Sequence, residues 1–146
     1  MEFAGKTPPG LITPTNLNLE NSVVAYLWIA LGAVVGASAR YFVGGYVARI
    51  VPATFPYGTL LINFTGSFIL GFFLIWIGER VLVDPHWRLL IAVGFCGSYT
   101  TFSSYAFETF ALGEQGQWLL AGLNIVGSNL FCLGAVLAGA ALARRL

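Results

Sequence analysis

Charged residues in this chain sit between four long apolar runs. Residues 21–39, 50–78, 89–107 and 115–143 contain no Asp, Glu, Lys or Arg. A helix needs about 20 mainly apolar residues to cross the hydrocarbon core of a bilayer, and each run with its flanks supplies them. The pattern predicts an all-α membrane protein with four transmembrane helices at about 23–47, 57–78, 87–111 and 116–143. Pro52 and Pro56 punctuate the first connection, Asp84 and Pro85 the second, and Gly113 and Gly116 the third. Residues 1–22, with Pro8, Pro9, Gly10 and Pro14, read as a flexible N-terminal tail before a single domain over 23–146. Trp76, Trp87 and Trp118 fall near helix ends, where an amphipathic ring prefers the headgroup level.

Small residues recur every fourth position. Gly32, Gly36 and Gly44 share a row of the first helix with Arg40, Ser67 and Gly71 share one on the second, and Gly134, Ala138 and Leu142 follow one another on the last. Lipid offers no hydrophobic drive for helix association, so such rows predict backbones packed closely by van der Waals contact.

Composition narrows the function classes. Hydrophobic residues make up 58% of the 146-residue chain and charged residues 9%, against about 25% charged in a soluble domain. Seven basic and six acidic residues cannot solvate the outside of four such helices, which argues against a soluble helical core. A net charge of +1 gives no reason to expect nucleic acid as a partner. One His and two distant cysteines, Cys96 and Cys132, make no metal or redox spacing. No nucleophile–base pair stands out, so no enzyme is expected. The segment before the first helix carries Lys6 with Glu2 and Glu20, unlike the cationic start of a cleavable signal.

The polar residues inside the runs carry the remaining information. Asn63, Thr65 and Ser67 interrupt the second run, and Asn124, Ser128, Asn129 and Cys132 the fourth. Singly, each reads best as an interhelical hydrogen bond worth about 0.6–2 kcal/mol. Together, the two stripes read as walls of a narrow wet pathway. Arg40 is the one basic residue deep in a predicted helix. It reads equally as a vestibule charge for anions and as a side chain reaching back to the interface.

The sharpest signal is the stretch from Gly94 to Tyr105, GFCGSYTTFSSY. Gly94 and Gly97 weaken a helix, and Ser98, Thr100 and Thr101 offer the backbone other hydrogen bonds. A break there frees carbonyls at membrane depth, which persists only where the backbone is buried or lines a cavity. Carbonyls of this kind coordinate cations in transporters. Phe102 and Tyr105, three residues apart, share a face. Their positive ring edges suit a small anion, although simple packing is the commoner use of such a pair. Glu108 follows one turn later.

Three spaced motifs now combine: Arg40-Tyr41 after the Gly/Ala-rich first helix, Phe55-Pro56-Tyr57-Gly58-Thr59-Leu60-Leu61-Ile62-Asn63, and Gly94-Phe95-Cys96-Gly97 with Thr100-Thr101-Phe102-Ser103 and Glu108. From about residue 31 to 142 the chain resembles the Fluc (CrcB) fluoride channels. The resemblance implies an antiparallel, dual-topology dimer of four-helix subunits, each with a broken third helix, in the bacterial cell or inner membrane. It implies two pores through which cytoplasmic fluoride leaves passively. A central structural sodium ion would be held by the backbone carbonyls of Gly97 and Thr100. Asn63, Phe102, Ser103, Tyr105 and Ser128 would line the fluoride path, and Arg40 would be the vestibule charge. The partners implied are fluoride, the lipid bilayer and a second, oppositely oriented subunit.

Two positions depart from the family pattern: Tyr105 stands where Phe is usual, and Asn124 where an aromatic residue is frequent. With four helices, Lys6, Arg80, Arg88, Arg144 and Arg145 share one membrane side, against Arg49 and Arg40 on the other. That bias predicts both termini inside. A homodimer and a heterodimer with an oppositely oriented homologue both remain open, the chain in the second case being a non-conducting or half-active partner. A four-helix proton-coupled drug exporter is disfavoured, because 21–39 holds no carboxylate.

Overall fold

A computed structural model of the chain describes residues 19–52, 54–78 and 84–146, and the regular elements among them are all helices, with no strand. The first helix, α1, runs Leu19–Ile50. It begins earlier than the sequence suggests, so Leu19 to Ser22 belong to a helix and not to the expected tail, whose residues 1–18 lie outside the described residues. It also ends later. Gly44 and Gly45 do not stop it, and its last turn closes with Val51 N–H donating to the Val47 carbonyl at 3.0 Å, one residue before Pro52. Thirty-two helical residues extend about 48 Å, more than the ~30 Å hydrocarbon thickness.

Helix α2 spans Tyr57–Gly78, as the apolar run predicts. The third helix, expected over 87–111 with a break at membrane depth, is indeed interrupted and consists of four pieces. Helix α3, Pro85–Arg88, starts on Asp84, whose carboxylate accepts the His86 backbone N–H at 2.8 Å, with proline in the first turn. The His86 ring nitrogen lies 2.6 Å from the same oxygen. These two bonds, the backbone one foremost, hold the Asp84 carboxyl below its ordinary pKa. A π-helix then occupies Leu89–Cys96, followed by the single turn α4, Gly97–Tyr99. Thr100 and Thr101 are extended, and α5 resumes over Phe102–Glu114. Gly116, with φ 74°, reverses the chain into α6, Trp118–Ala143.

Three helical stretches are long and apolar enough to cross a membrane, Ser22–Ile50, Tyr57–Gly78 and Trp118–Ala143. Large apolar side chains cover the exterior, including Val34, Phe42, Phe107, Leu119 and Leu137, each more than 60% exposed. A soluble chain does not present so continuous an apolar surface. This is a multi-pass membrane protein.

Two close pairings organise the bundle: α2 lies along α6, and α1 lies along the π-helix. At the second, a Cβ on Gly94 would stand 2.6 Å from the Ile29 carbonyl oxygen, and Cβ atoms on Gly32 and Gly36 would strike the backbone of the π-helix. The α1 row of the sequence reading therefore does pack, except for Gly44, which is only in ordinary contact with Ile62. On α6 the buried small row is not Gly134, Ala138 and Leu142, which are exposed, but Ala135, Gly139 and Ala143, one residue on. Gly139 meets the Phe68 backbone of α2, and Gly71 meets Val136. Small residues line both faces of α6, so spacing alone cannot choose between them.

Candidate functional site

The break in the backbone is built from both sides. Thr100 has φ −76° and ψ 155°, and Thr101 φ −147° and ψ 113°. In an unbroken helix the Gly97 carbonyl receives the Thr101 N–H, and the Thr100 carbonyl receives the Ser104 N–H. Both donors are diverted. The Thr101 N–H donates to Asn63 Oδ1 at 2.8 Å, and the Ser104 N–H donates to Thr101 Oγ1 at 3.2 Å, as an N-cap of α5. Gly97 and Thr100, the two carbonyls singled out from sequence, are among four, Gly97 to Thr100, that lose their helical donors at the break.

Asn63 completes the clamp by donating from Nδ2 to the Thr101 carbonyl at 3.1 Å. One carboxamide satisfies both polar groups of a residue that has left the helix, which is what a buried backbone requires. Two residues on, the Thr65 hydroxyl lies 2.9 Å from the hydroxyl of buried Tyr99. A Cβ on Gly66 would collide with the Thr100 methyl. Helix α2 therefore grips the chain just before and at the break. Phe95 stacks on Tyr99 with ring centroids 5.4 Å apart.

Beyond the break, a recess of about 420 Å³ opens between α2, α5 and α6. Asn63, Thr100, Phe102, Tyr105 and Ser128 line it, joined by Asn129. The Phe102 and Tyr105 rings face each other at 5.4 Å and 51°. Four of the five path residues named from sequence thus meet in one place. Ser103 stands apart from that lining, exposed on α5, with its hydroxyl 3.3 Å from Thr101 Oγ1. Gly97 is exposed, with nothing nearer to its Cβ position than the Ala92 oxygen at 3.9 Å. Arg40 lies outside the recess, half-buried on α1, ten residues or about 15 Å from the end of the helix. Among the described residues no hydrogen bond or ion pair engages it.

Helix α6 uses its polar residues differently from a bare pore wall. Asn124 is 1% exposed. It donates to Thr109 Oγ1 at 2.8 Å and accepts from Ser128 Oγ at 3.0 Å, while Thr109 donates to the Tyr105 carbonyl at 2.7 Å. The chain Ser128, Asn124, Thr109, Tyr105 ties α6 to α5. Its only sequence signal was an Asn at membrane depth.

Glu108 faces a second recess, of about 390 Å³, near the α1–α2 connection. Thr59 donates to its Oε1 at 2.8 Å, and its Oε2 is buried without a hydrogen-bond partner among the described residues. Thr59 stood in the sequence only as a member of the Phe55–Asn63 motif and not as this partner, although a lone acid in an apolar helix announces that it needs one.

A family model described as CrcB-like protein, Camphor Resistance (CrcB), matches residues 27–140. The chain is 58% identical over 119 residues to a protein named fluoride-specific ion channel FluC from Koribacter versatilis (strain Ellin345), covering 82% of this chain and 94% of that one. It is 47% identical over 121 residues to the protein of the same name from Sulfurihydrogenibium sp. (strain YO3AOP1), covering 83% and 98%. A third relative of that name, from Paramagnetospirillum magneticum (strain ATCC 700264 / AMB-1), is 44% identical over 80% of this chain and 93% of its own length.

Proposed function

The chain belongs to the CrcB-like protein family, and we propose from that premise that it is a fluoride-specific ion channel subunit. It lets cytoplasmic fluoride leave passively across the bacterial inner or plasma membrane and so protects the cell from fluoride. The observation that carries this reading is the recess in which Phe102 and Tyr105 face each other beside Asn63 and Ser128, next to a broken helix.

Ring edges and neutral polar groups suit a small anion for a physical reason. They replace part of its hydration shell with partial positive charge, without a fixed cation that would trap it. Conduction needs binding strong enough for entry and weak enough for release. Arg40 supplies a positive charge on α1 that raises the local anion concentration. Ser103, exposed on the first turn of α5, extends the path beyond the recess. No bond is made or broken, so the protein is a channel and not an enzyme.

In this reading the segment 85–114 is the third of four crossings, and two subunits of opposite orientation form the channel. The exposed Gly97, the one-sided recess and the apolar exterior all favour a partner surface there. Sodium fits the break, because a hard cation takes oxygen ligands and the Gly97 and Thr100 carbonyls have lost their helical donors. A second copy contributes the same pair. The ion, when bound, supplies a fixed positive charge at the subunit junction.

The oppositely oriented partner is either a second copy or a homologue. A homologue is favoured by the charge bias, with Arg88, Arg144 and Arg145 on one side and Arg49 on the other. The test is expression in a bacterium lacking its own fluoride exporter. Restored growth and lowered internal fluoride are expected; a membrane-inserted protein that changes neither, alone or co-expressed with an oppositely oriented homologue, contradicts the proposal.

A further inference from the structure

We infer that Tyr105 and Asn129 form a hydrogen-bond-donating anion subsite in the α5–α6 wall of the recess. There the phenolic O–H, oriented by the Asn129 carboxamide, binds fluoride directly. The inference rests on the fluoride-channel reading and adds a second mode of contact to the ring edges.

The geometry assigns the donor. Asn129 Nδ2 lies 3.2 Å from the Tyr105 hydroxyl oxygen and 2.6 Å from the Ile125 carbonyl. The amide nitrogen has two hydrogens, one for each of these oxygens. In the first bond the Tyr105 oxygen is the acceptor, so its own proton points elsewhere. Among the described residues no acceptor takes that proton. Both side chains line the recess with Asn63, Phe102 and Ser128.

Three physical consequences follow. A hydroxyl whose oxygen already accepts a hydrogen bond is polarised and becomes a stronger donor. An O–H donating to an anion makes a bond roughly twice as strong as one between neutral groups. A phenol left without an acceptor at membrane depth is costly, whereas a permeating anion satisfies it. Fluoride, small and with concentrated charge, gains most from a single short O–H bond, so the subsite also favours it over larger anions. The Ser128 hydroxyl does not compete for this role, because its proton is committed to Asn124.

The competing explanation is that the contact merely ties α5 to α6. Tyr105→Phe separates the two, since it keeps the ring, the ring edge and its packing, and removes only the hydroxyl. In reconstituted liposomes it should raise the half-saturating fluoride concentration about tenfold, the size of one hydrogen bond to a charged group. Asn129→Ala should shift it in the same direction by less. The double variant should be no worse than Tyr105→Phe alone, because Asn129 acts through the hydroxyl. Unchanged half-saturation in Tyr105→Phe, or effects that add in the double variant, would overturn the subsite. So would a lowered maximal flux at constant half-saturation in both single variants, the signature of a structural tie.

Flux through the unsubstituted protein is the internal control. If it carries no fluoride, alone or with an oppositely oriented homologue, the channel reading fails on its own, and the subsite is judged by binding. Fluorine NMR titration of the detergent-solubilised protein should then show weaker fluoride binding for Tyr105→Phe. Equal titrations would end the proposal.

Discussion

Asn63→Asp tests the clamp and the anion path together, because it keeps size and shape while replacing an NH2 donor with an oxygen. One carboxylate oxygen still accepts the Thr101 N–H, now at 2.8 Å. The other oxygen stands where Nδ2 stood, about 3 Å from the Thr101 carbonyl, so a hydrogen bond of 3.1 Å becomes a contact between two acceptors. Losing that bond and setting two acceptors against each other costs about 1–3 kcal/mol. The new charge acts separately on the permeating ion. At a separation of about 6 Å and an effective dielectric of about 20, it opposes fluoride by about 3 kcal/mol. Fluoride flux at neutral pH should therefore fall about a hundredfold.

Acidification provides a sign check on this substitution. Protonating the introduced carboxyl removes the charge and restores an O–H donor towards the Thr101 carbonyl, so flux should recover as pH falls. Asn63→Ala has no charge to remove and should show no such recovery. Efflux from liposomes, followed with a fluoride electrode across pH, reads both effects. Unchanged neutral-pH flux in Asn63→Asp would refute the placement of Asn63 beside the path.

The pairing at the start of the break predicts an order of stabilities. Tyr99→Phe leaves Thr65 its bond to the Leu61 carbonyl at 2.8 Å and should cost about 1 kcal/mol, whereas Thr65→Val strands a buried phenol and should cost about 1–3 kcal/mol; thermal unfolding in detergent with the reverse order would contradict the geometry. Gly94→Ala forces a methyl to 2.6 Å from the Ile29 oxygen and should lower the unfolding temperature by an amount matching about 1–3 kcal/mol, while Gly134→Ala enters open space and should be tolerated; equal effects would show the α1 contact to be loose. Asp84 should titrate below the ordinary carboxylate value by carbon NMR. Its folded pKa is lowered, so its stabilising contribution is present above the unfolded value and is lost as pH falls through the folded one; a midpoint at or above the ordinary value would remove the His86 interaction.

How much was legible in the sequence varied with the kind of interaction. Helix α2 was bounded by Pro56 before it and a charged residue after it, so its span followed from local chemistry. The site of the break was also local, because Gly97, Thr100 and Thr101 disfavour helix by themselves. What holds the break was not legible. Asn63 reaches Thr101 across 38 positions of sequence, and nothing in the spacing says that a membrane-depth carboxamide grips a backbone and does not simply line a pore.

Other features turned on neighbours that a single chain does not name. The π-helix at Leu89–Cys96 carries no marker in its residues, and its Gly94 makes sense only once α1 lies against it. The α6 small-residue row was displaced by one position, because Gly134 and Ala135 are equally small and only contact with α2 separates them. Asn124 read by itself as an interhelical bond and with its stripe as a pathway wall, and its burial with two partners places it in the first role.

The most direct measurement is fluoride efflux from liposomes containing this protein alone, compared with chloride efflux from matched vesicles. The account predicts rapid, passive fluoride release with little chloride movement, from this protein alone or once an oppositely oriented homologue is co-reconstituted. If no fluoride is released, and none is released after co-reconstitution with an oppositely oriented homologue either, the fluoride-channel account is contradicted.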